Sequence, residues 1–141
     1  MPVLRENRAS NNEGQGMGMN VRGSYIRLEN LLVQYYSHGV HIDSSQTGCH
    51  LKNIVCVDQG DYNVAHSYNP PSMPDAFQNY DGNGITARGT NHVLENIFVL
   101  NSGAQGITLY DRGHTVNNSR IMCDNTVNPT DYYFLVCKYC F

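Results

Sequence analysis

Short apolar runs that alternate with polar residues fill most of the chain, and each run ends in Gly, Asn, Ser or Asp. Alternation with a period of two predicts β-strands, because successive side chains of a strand point to opposite faces. Segments with the pattern apolar-x-Asn-x-x-apolar recur four times: LENLLV, LKNIVC, LENIFV and VNNSRI, which begin at 28, 51, 94 and 116. A second short strand precedes each one: GMNV, GVHI, GITA and GITL, which begin at 18, 39, 84 and 106. The pattern therefore predicts a repeat of two strands.

Four asparagines occupy the same position within this repeat: Asn30, Asn53, Asn96 and Asn118, which are 23, 43 and 22 residues apart. We interpret the interval of 43 as two periods, with GDYNVAH as the first strand of an irregular unit. A repeat that cannot bury its own apolar face has to stack on its neighbours. The predicted fold is all-β: a right-handed parallel β-helix, a single-stranded solenoid of about five coils of roughly 22 residues.

Stacked repeats place equivalent side chains in ladders. The predicted interior ladders are Leu28–Leu51–Leu94–Val116, Leu31–Ile54–Ile97 with a break at Ser119, and a third set of Val40, Ile42, Ile85, Ile107 and Leu109. The four asparagines are predicted to stack with their side-chain amides hydrogen-bonded from one repeat to the next. Residues 1–16 are predicted to be a flexible polar arm, and 17–141 one domain with a loop excursion at 67–81.

Composition excludes several classes of function. The 141 residues carry a net charge of −3, which does not favour a nucleic-acid partner. No run of 18 apolar residues occurs, so no membrane span is predicted, and no signal peptide is visible at the start of the chain. Five cysteines cannot all pair within one chain, and we interpret them as buried thiols.

One longer stretch carries a family resemblance. HSYNPPSMPDAFQNYDGNGITARGTNHVLENIFVLNSGAQGITLYD resembles the core of the family-nine pectate lyases, in which SYNN, DGFAAKL and N-x-x-DDGWDLY follow in the same order. The resemblance extends over residues 17–125. It implies β-elimination on an acidic, uronate-containing polysaccharide, with calcium beside the substrate carboxylate, and a secreted, extracellular protein.

The resemblance implies a role for individual positions. The catalytic lysine of the family falls on Arg88, which would act as the base or stabilise charge. The calcium-binding aspartates fall on Asn83, Ala104, Gln105 and Thr108, so all four expected carboxylates are absent. We therefore predict no metal site, although calcium is the ion that the resemblance implies.

Other polar residues are predicted to share a face with Arg88. Asp81 is the second candidate catalytic residue, and the candidates for substrate binding are Tyr80, Asp111, Arg112 and His66. Two carboxylates within reach of each other could perform acid–base chemistry. Turn-forming roles for Asp81 and Asp111 remain an open alternative. His41 and Asp43 alternate onto one face of a strand, which suggests a weaker metal hypothesis with His66.

Two functions follow as expectations. The first is a polysaccharide-lyase-like protein that binds or cleaves an acidic polysaccharide by β-elimination. The alternative is a non-catalytic structural protein that self-associates through the open ends of its strands, to which the apolar segment DYYFLVCKYCF could contribute.

Overall fold

The computed structural model describes residues 1–5, 17–36, 38–59, 82–102, 105–122 and, for the backbone alone, 133–138. Within these ranges the chain is all-β. The strands are β1 (Val3–Arg5), β2 (Met17–Val21), β3 (Arg27–Gln34), β4 (His38–Ile42), β5 (His50–Gln59), β6 (Asn83–Ala87), β7 (Val93–Glu95), β8 (Phe98–Ser102), β9 (Gln105–Tyr110), β10 (Thr115–Asn117), β11 (Arg120–Met122) and β12 (Tyr133–Lys138).

Two parallel sheets contain all of these strands. The seven-stranded sheet runs β1-β3-β5-β7-β10, with β8 beside β5 and β11 beside β8, and the five-stranded sheet runs β12-β9-β6-β4-β2. From β2 onwards the chain passes back and forth between the two sheets, with β7 and β8, and later β10 and β11, consecutive in the seven-stranded sheet. Each strand pairs with the equivalent strand of the next repeat. Residues 3–5 of the predicted arm form β1, whereas residues 6–16 and the predicted loop 67–81 lie outside the described ranges.

The predicted fold, a right-handed parallel β-helix of about five coils, is wrong: the structure has two small parallel sheets of seven and five strands. The interval of 43 residues is a single step, since Leu51 of β5 pairs directly with Leu94 of β7. The extra unit that we inferred from that interval therefore has no place between these strands. Repetition in a sequence specifies which residues become neighbours, but an interval of 43 fits one long connection as well as two equal steps.

The predicted neighbours are nevertheless correct, because parallel strands of successive repeats pair residues that hold the same position within each repeat. Leu51 pairs with Leu28 on one side and Leu94 on the other, Leu31 pairs with Ile54, and Val40 pairs with Ile85. These ladders converge on one core between the two sheets. Its buried members are Val21, Leu31, Val33, Val40, Ile42, Cys49, Leu51, Ile54, Cys56, Ile85, Ala87, Leu94, Ile97, Val99, Ile107 and Leu109.

The predicted asparagine ladder is confirmed. The side-chain amide of Asn53 donates to Asn30 at 2.8 Å, that of Asn96 donates to Asn53 at 3.0 Å, and that of Asn118 donates to Asn96 at 2.5 Å. All four residues have positive φ, between 46° and 57°. Asparagine tolerates this left-handed conformation better than most residues, so one residue type supplies both the bend and the bond between repeats.

A glycine ladder allows the two sheets to approach each other. Gly18, Gly39, Gly84 and Gly106 occupy equivalent positions at the starts of β2, β4, β6 and β9. A Cβ on Gly84 would lie 2.5 Å from Cγ1 of Val99, which belongs to the opposite sheet, and 2.6 Å from the carbonyl oxygen of Gly106. Only a residue without a side chain fits there.

Cys49 and Cys56 are free, buried thiols, as predicted for them. Burial raises the pKa of the Cys56 thiol to about 12 because the charged thiolate would lose its hydration. A thiol held in its neutral form is a weak nucleophile, so Cys56 serves the core and not chemistry.

Candidate functional site

A row of residues crosses one end of the five-stranded sheet, at or directly after the last residue of β2, β4, β6 and β9. The strand register aligns Val21, Ile42, Ala87 and Leu109 on neighbouring strands. The residues after them are therefore neighbours too, at a strand spacing of about 4.8 Å. We call these residues the Arg88 row: Arg22, Asp43, Arg88 and Tyr110.

The row has two exposed cations, Arg22, which lies 3.5 Å from the Asp43 carboxylate, and Arg88. The backbone N–H of Arg88 donates to the carbonyl of Ile42 at 3.1 Å, and its guanidinium carbon lies 4.6 Å from the centroid of the Tyr110 ring. Among the described residues, no carboxylate forms an ion pair with Arg88. The ring thus orients a guanidinium whose charge is available to an anion.

Asp111 and Arg112, the predicted sugar ligands, follow immediately after Tyr110. The Asp111 carboxylate accepts the backbone N–H of Gly89 at 2.9 Å, and Asp111 has a φ of 72°. This is the turn-forming role left open above, and it occupies one carboxylate oxygen. Arg112 is exposed, and its carbonyl accepts the backbone N–H of Asn91 at 3.0 Å. Arg112 therefore adds a further exposed cation beside the row.

Three further residues belong to the predicted site. Asp81, Tyr80 and His66 lie outside the described residues. Their assignment to catalysis and substrate binding stays a prediction. Of the predicted set, the structure brings together Arg88, Asp111 and Arg112.

A histidine–aspartate pair lies beside Arg88. Nε2 of His41 is 3.4 Å from the Asp43 carboxylate, which also lies 3.5 Å from Nε of Arg22. Burial lowers the pKa of His41, and the positive charge of Arg88 lowers it further, against the opposing effect of Asp43. With its proton on Nε2, facing Asp43, the neutral ring leaves Nδ1 as an acceptor. That Nδ1 is buried, and no described residue forms a hydrogen bond with it.

The positions that the resemblance assigned to calcium do not fit that ion. Among the described residues they are Asn83, Gln105 and Thr108, none of which carries a negative charge. The Asn83 amide donates to the Thr86 hydroxyl at 3.1 Å, and the hydroxyl of Thr108, which is fully buried, donates to Gln105. Calcium needs several oxygens with carboxylates among them. Within the described ranges, no three His, Cys, Asp or Glu side chains form a group that could hold a metal.

Two histidines outside the predicted site form a second ladder. The rings of His92 and His114 stack with centroids 5.1 Å apart and planes 15° apart. Nε2 of His92 contacts the carbonyl oxygen of Arg88 at 2.7 Å, and Nε2 of His114 contacts that of Tyr110 at 2.5 Å. A signal was present: the two histidines are 22 residues apart, which is the spacing of Arg88 and Tyr110.

The described part of the chain contains no helix with the length and apolar character needed to cross a membrane. No protein-family model matches the chain, and comparisons with curated proteins and with solved structures likewise find no match.

Proposed function

We propose that the protein binds an acidic, uronate-containing polysaccharide along the Arg88 row. The observation that carries this proposal is the Arg88 guanidinium, which is exposed, stacked on Tyr110 and not paired with a described carboxylate. The resemblance of GITAR and GITLYD to a lyase core supports the same class of ligand.

The chemistry of the row suits a sugar acid. A guanidinium can bind a carboxylate through two parallel N–H bonds, and these bonds are stronger than those between neutral groups. A tyrosine ring offers a flat surface to the apolar face of a sugar. Asp43 supplies an acceptor for hydroxyl groups, and Arg112 supplies a further cation for the next acidic residue of the polymer.

Replacing Arg88 with glutamine should weaken binding of polygalacturonate by at least about tenfold, because a hydrogen bond to a charged group contributes about 1.5–3 kcal/mol. Isothermal titration calorimetry with polygalacturonate fragments of defined length would measure the change. Arg27→Gln is the matched control, since Arg27 is an exposed arginine of the other sheet that pairs with Glu29 at 2.5 Å.

Equal affinities of the Arg88→Gln and Arg27→Gln proteins would contradict the proposal. The charge requirement has its own test, because a methyl-esterified polygalacturonate keeps the sugar ring and lacks the carboxylate charge. Equal binding of the esterified and the acidic polymer would show that Arg88 does not recognise the carboxylate.

Cleavage is a second candidate function, favoured by the pair of His41 and Asp43 beside Arg88. In β-elimination a base takes the proton from C5, α to the uronate carboxyl group, and the C5–H electron pair forms a C4–C5 double bond. The C4–O bond breaks, and the leaving oxygen keeps its electron pair and takes a proton from water. Nδ1 of His41 is an acceptor held by the contact of Nε2 with Asp43, and Arg88 would neutralise the carboxylate. The buried position of Nδ1 requires movement before it can reach a substrate.

The unsaturated product of β-elimination absorbs in the ultraviolet, so incubation with polygalacturonate or alginate tests for cleavage directly. If the protein is a lyase, absorbance rises, and His41→Gln lowers the rate by at least about a hundredfold, as expected for loss of a general base. A protein that binds the polymer but produces no absorbance with any uronate is a binding protein and not a lyase.

A further inference from the structure

We propose that His92 and His114 are positioning residues that hold the Arg88–Tyr110 pair in place, and that protonation of these histidines weakens the site. The ligand in this inference rests on the proposed function, but the coupling between the histidines and the pair does not. Each imidazole holds the backbone carbonyl of one member of the pair: His92 holds Arg88, and His114 holds Tyr110.

Hydrogen bonds fix the protonation state of both rings. The backbone N–H of Cys49 donates to Nδ1 of His92 at 3.0 Å, and the backbone N–H of His92 donates to Nδ1 of His114 at 3.3 Å. Each Nδ1 therefore carries no proton, and each Nε2 carries the proton that it donates to a carbonyl. One chain of bonds thus links Cys49, both imidazoles and the two residues of the site.

A second proton would disrupt this chain. Protonated Nδ1 of His92 would face the N–H of Cys49, donor against donor, inside a fully buried site. Two stacked rings that both carried a charge would also repel each other across 5.1 Å. The geometry accommodates the neutral pair and opposes its protonation. The contact between two donors and the repulsion between the rings are relieved only if the turn from Arg88 to His92 moves. The Arg88 guanidinium moves with that turn.

Burial lowers the pKa of His92, and the neighbouring His114 lowers it further, although the bond to Arg88 acts in the opposite direction. Because the folded pKa lies below the ordinary value, this residue gives its full stability above about pH 6.5, and the contribution is lost as pH falls towards the folded pKa. Among the residues that the structure describes, the other ionisable groups around the ladder are the Cys49 thiol, Asp111, Arg112 and Arg88 itself. His41 lies near Arg88 on the adjacent strand, and the charge of Arg88 lowers the pKa of His41.

The sign of the effect separates this inference from simple charge attraction. Added positive charge on histidines near an anionic ligand would strengthen binding as pH falls. Displacement of the Arg88–Tyr110 pair would instead weaken binding as pH falls. Uronate carboxyl groups remain ionised above about pH 5, so the ligand itself does not change in the range of interest.

The first test uses the glycan-free protein. Between about pH 7.5 and about pH 5.5, where imidazole ordinarily titrates, NMR would follow the side-chain resonances of Arg88, the ring of Tyr110 and the C2 protons of the histidines. We expect Arg88 and Tyr110 to shift with the midpoint of His92 or His114. Constant Arg88 and Tyr110 resonances, a midpoint that matches His41, or a ladder that stays neutral to about pH 5.5 would each overturn the inference.

The second test measures affinity for polygalacturonate fragments over the same range. We expect the dissociation constant to rise at least about threefold on acidification, because the binding-competent population falls. His114→Gln keeps a side-chain N–H for the Tyr110 carbonyl but cannot be protonated, so its affinity should depend less on pH. His50→Gln, which removes a histidine paired with Glu95 on the other sheet, should keep the wild-type pH dependence.

Affinity that is constant or rises on acidification would overturn the positioning role. So would identical pH profiles for the wild-type and His114→Gln proteins. If the wild-type protein does not bind polygalacturonate at about pH 7.5, the proposed function fails, whereas the NMR titration still decides the coupling between the ladder and the Arg88–Tyr110 pair.

Discussion

Replacing Gly84 with alanine is expected to destabilise the protein by about 3 kcal/mol, because the added methyl group would overlap with atoms that are fixed by the surrounding packing. One is Cγ1 of Val99, a fully buried core residue of the opposite sheet, and the other is the backbone oxygen of Gly106 on the adjacent strand. Separating either pair would move one β-strand away from its neighbour. Urea denaturation followed by circular dichroism would measure the change in the free energy of unfolding.

Gly23 provides the control for the same chemical change. A Cβ at Gly23 would meet only the flexible side chain of Ile26, at 3.3 Å. Gly23→Ala should therefore stay within about 0.5 kcal/mol of the wild-type protein. If Gly84→Ala shifts the urea midpoint no more than Gly23→Ala does, the close approach of the two sheets at the glycine ladder is not a constraint on stability.

The second large effect is expected at Asn96, in the middle of the asparagine ladder. Alanine there loses the amide bonds to Asn53 and Asn118, which contribute about 0.5–1.5 kcal/mol each. It must also adopt a φ of 53°, at a further cost of about 1–2 kcal/mol. We therefore expect Asn96→Ala to lower the free energy of unfolding by about 3 kcal/mol, measured in the same urea experiment.

Two further variants separate these contributions. Asn96→Gly loses the amide bonds but accepts positive φ, so it should fall between the wild-type and Asn96→Ala proteins. Asn91 has a φ of 58° and lies outside the ladder, so Asn91→Ala should show the backbone cost alone, about 1–2 kcal/mol. Equal losses for Asn96→Ala and Asn91→Ala would mean that the ladder amides contribute nothing to stability.

The sequence predicted neighbours well because parallel pairing translates a spacing directly into a contact. Asn30 and Asn53 are 23 residues apart in sequence, and their side chains are hydrogen-bonded in the structure. The spacing of the repeats did not predict the architecture, because an interval of 43 residues fits an extra repeat as well as a long connection. The direct pairing of Leu51 with Leu94 in the structure shows that the interval is a single step between neighbouring strands.

The candidate site was predicted only in part, and each omission has a physical cause. Arg88 was found through a resemblance, but its partner Tyr110 was not, because stacking depends on which residues share a row. The stacking of His92 on His114 follows from the repeat spacing, whereas neither histidine belongs to the repeated strand pattern. Asp111 stays a predicted substrate ligand, and the backbone N–H of Gly89 occupies one oxygen of its carboxylate.

The asparagine ladder also gives the molecule a direction. Every amide in the run donates towards the earlier repeat, so the run ends with the amide nitrogen of Asn30 on one side and the amide oxygen of Asn118 on the other. The two ends of the asparagine run are thus chemically unlike, a donor end and an acceptor end. Two copies that met through these ends would match head to tail, and such a contact generates an open filament unless its rotation closes a ring.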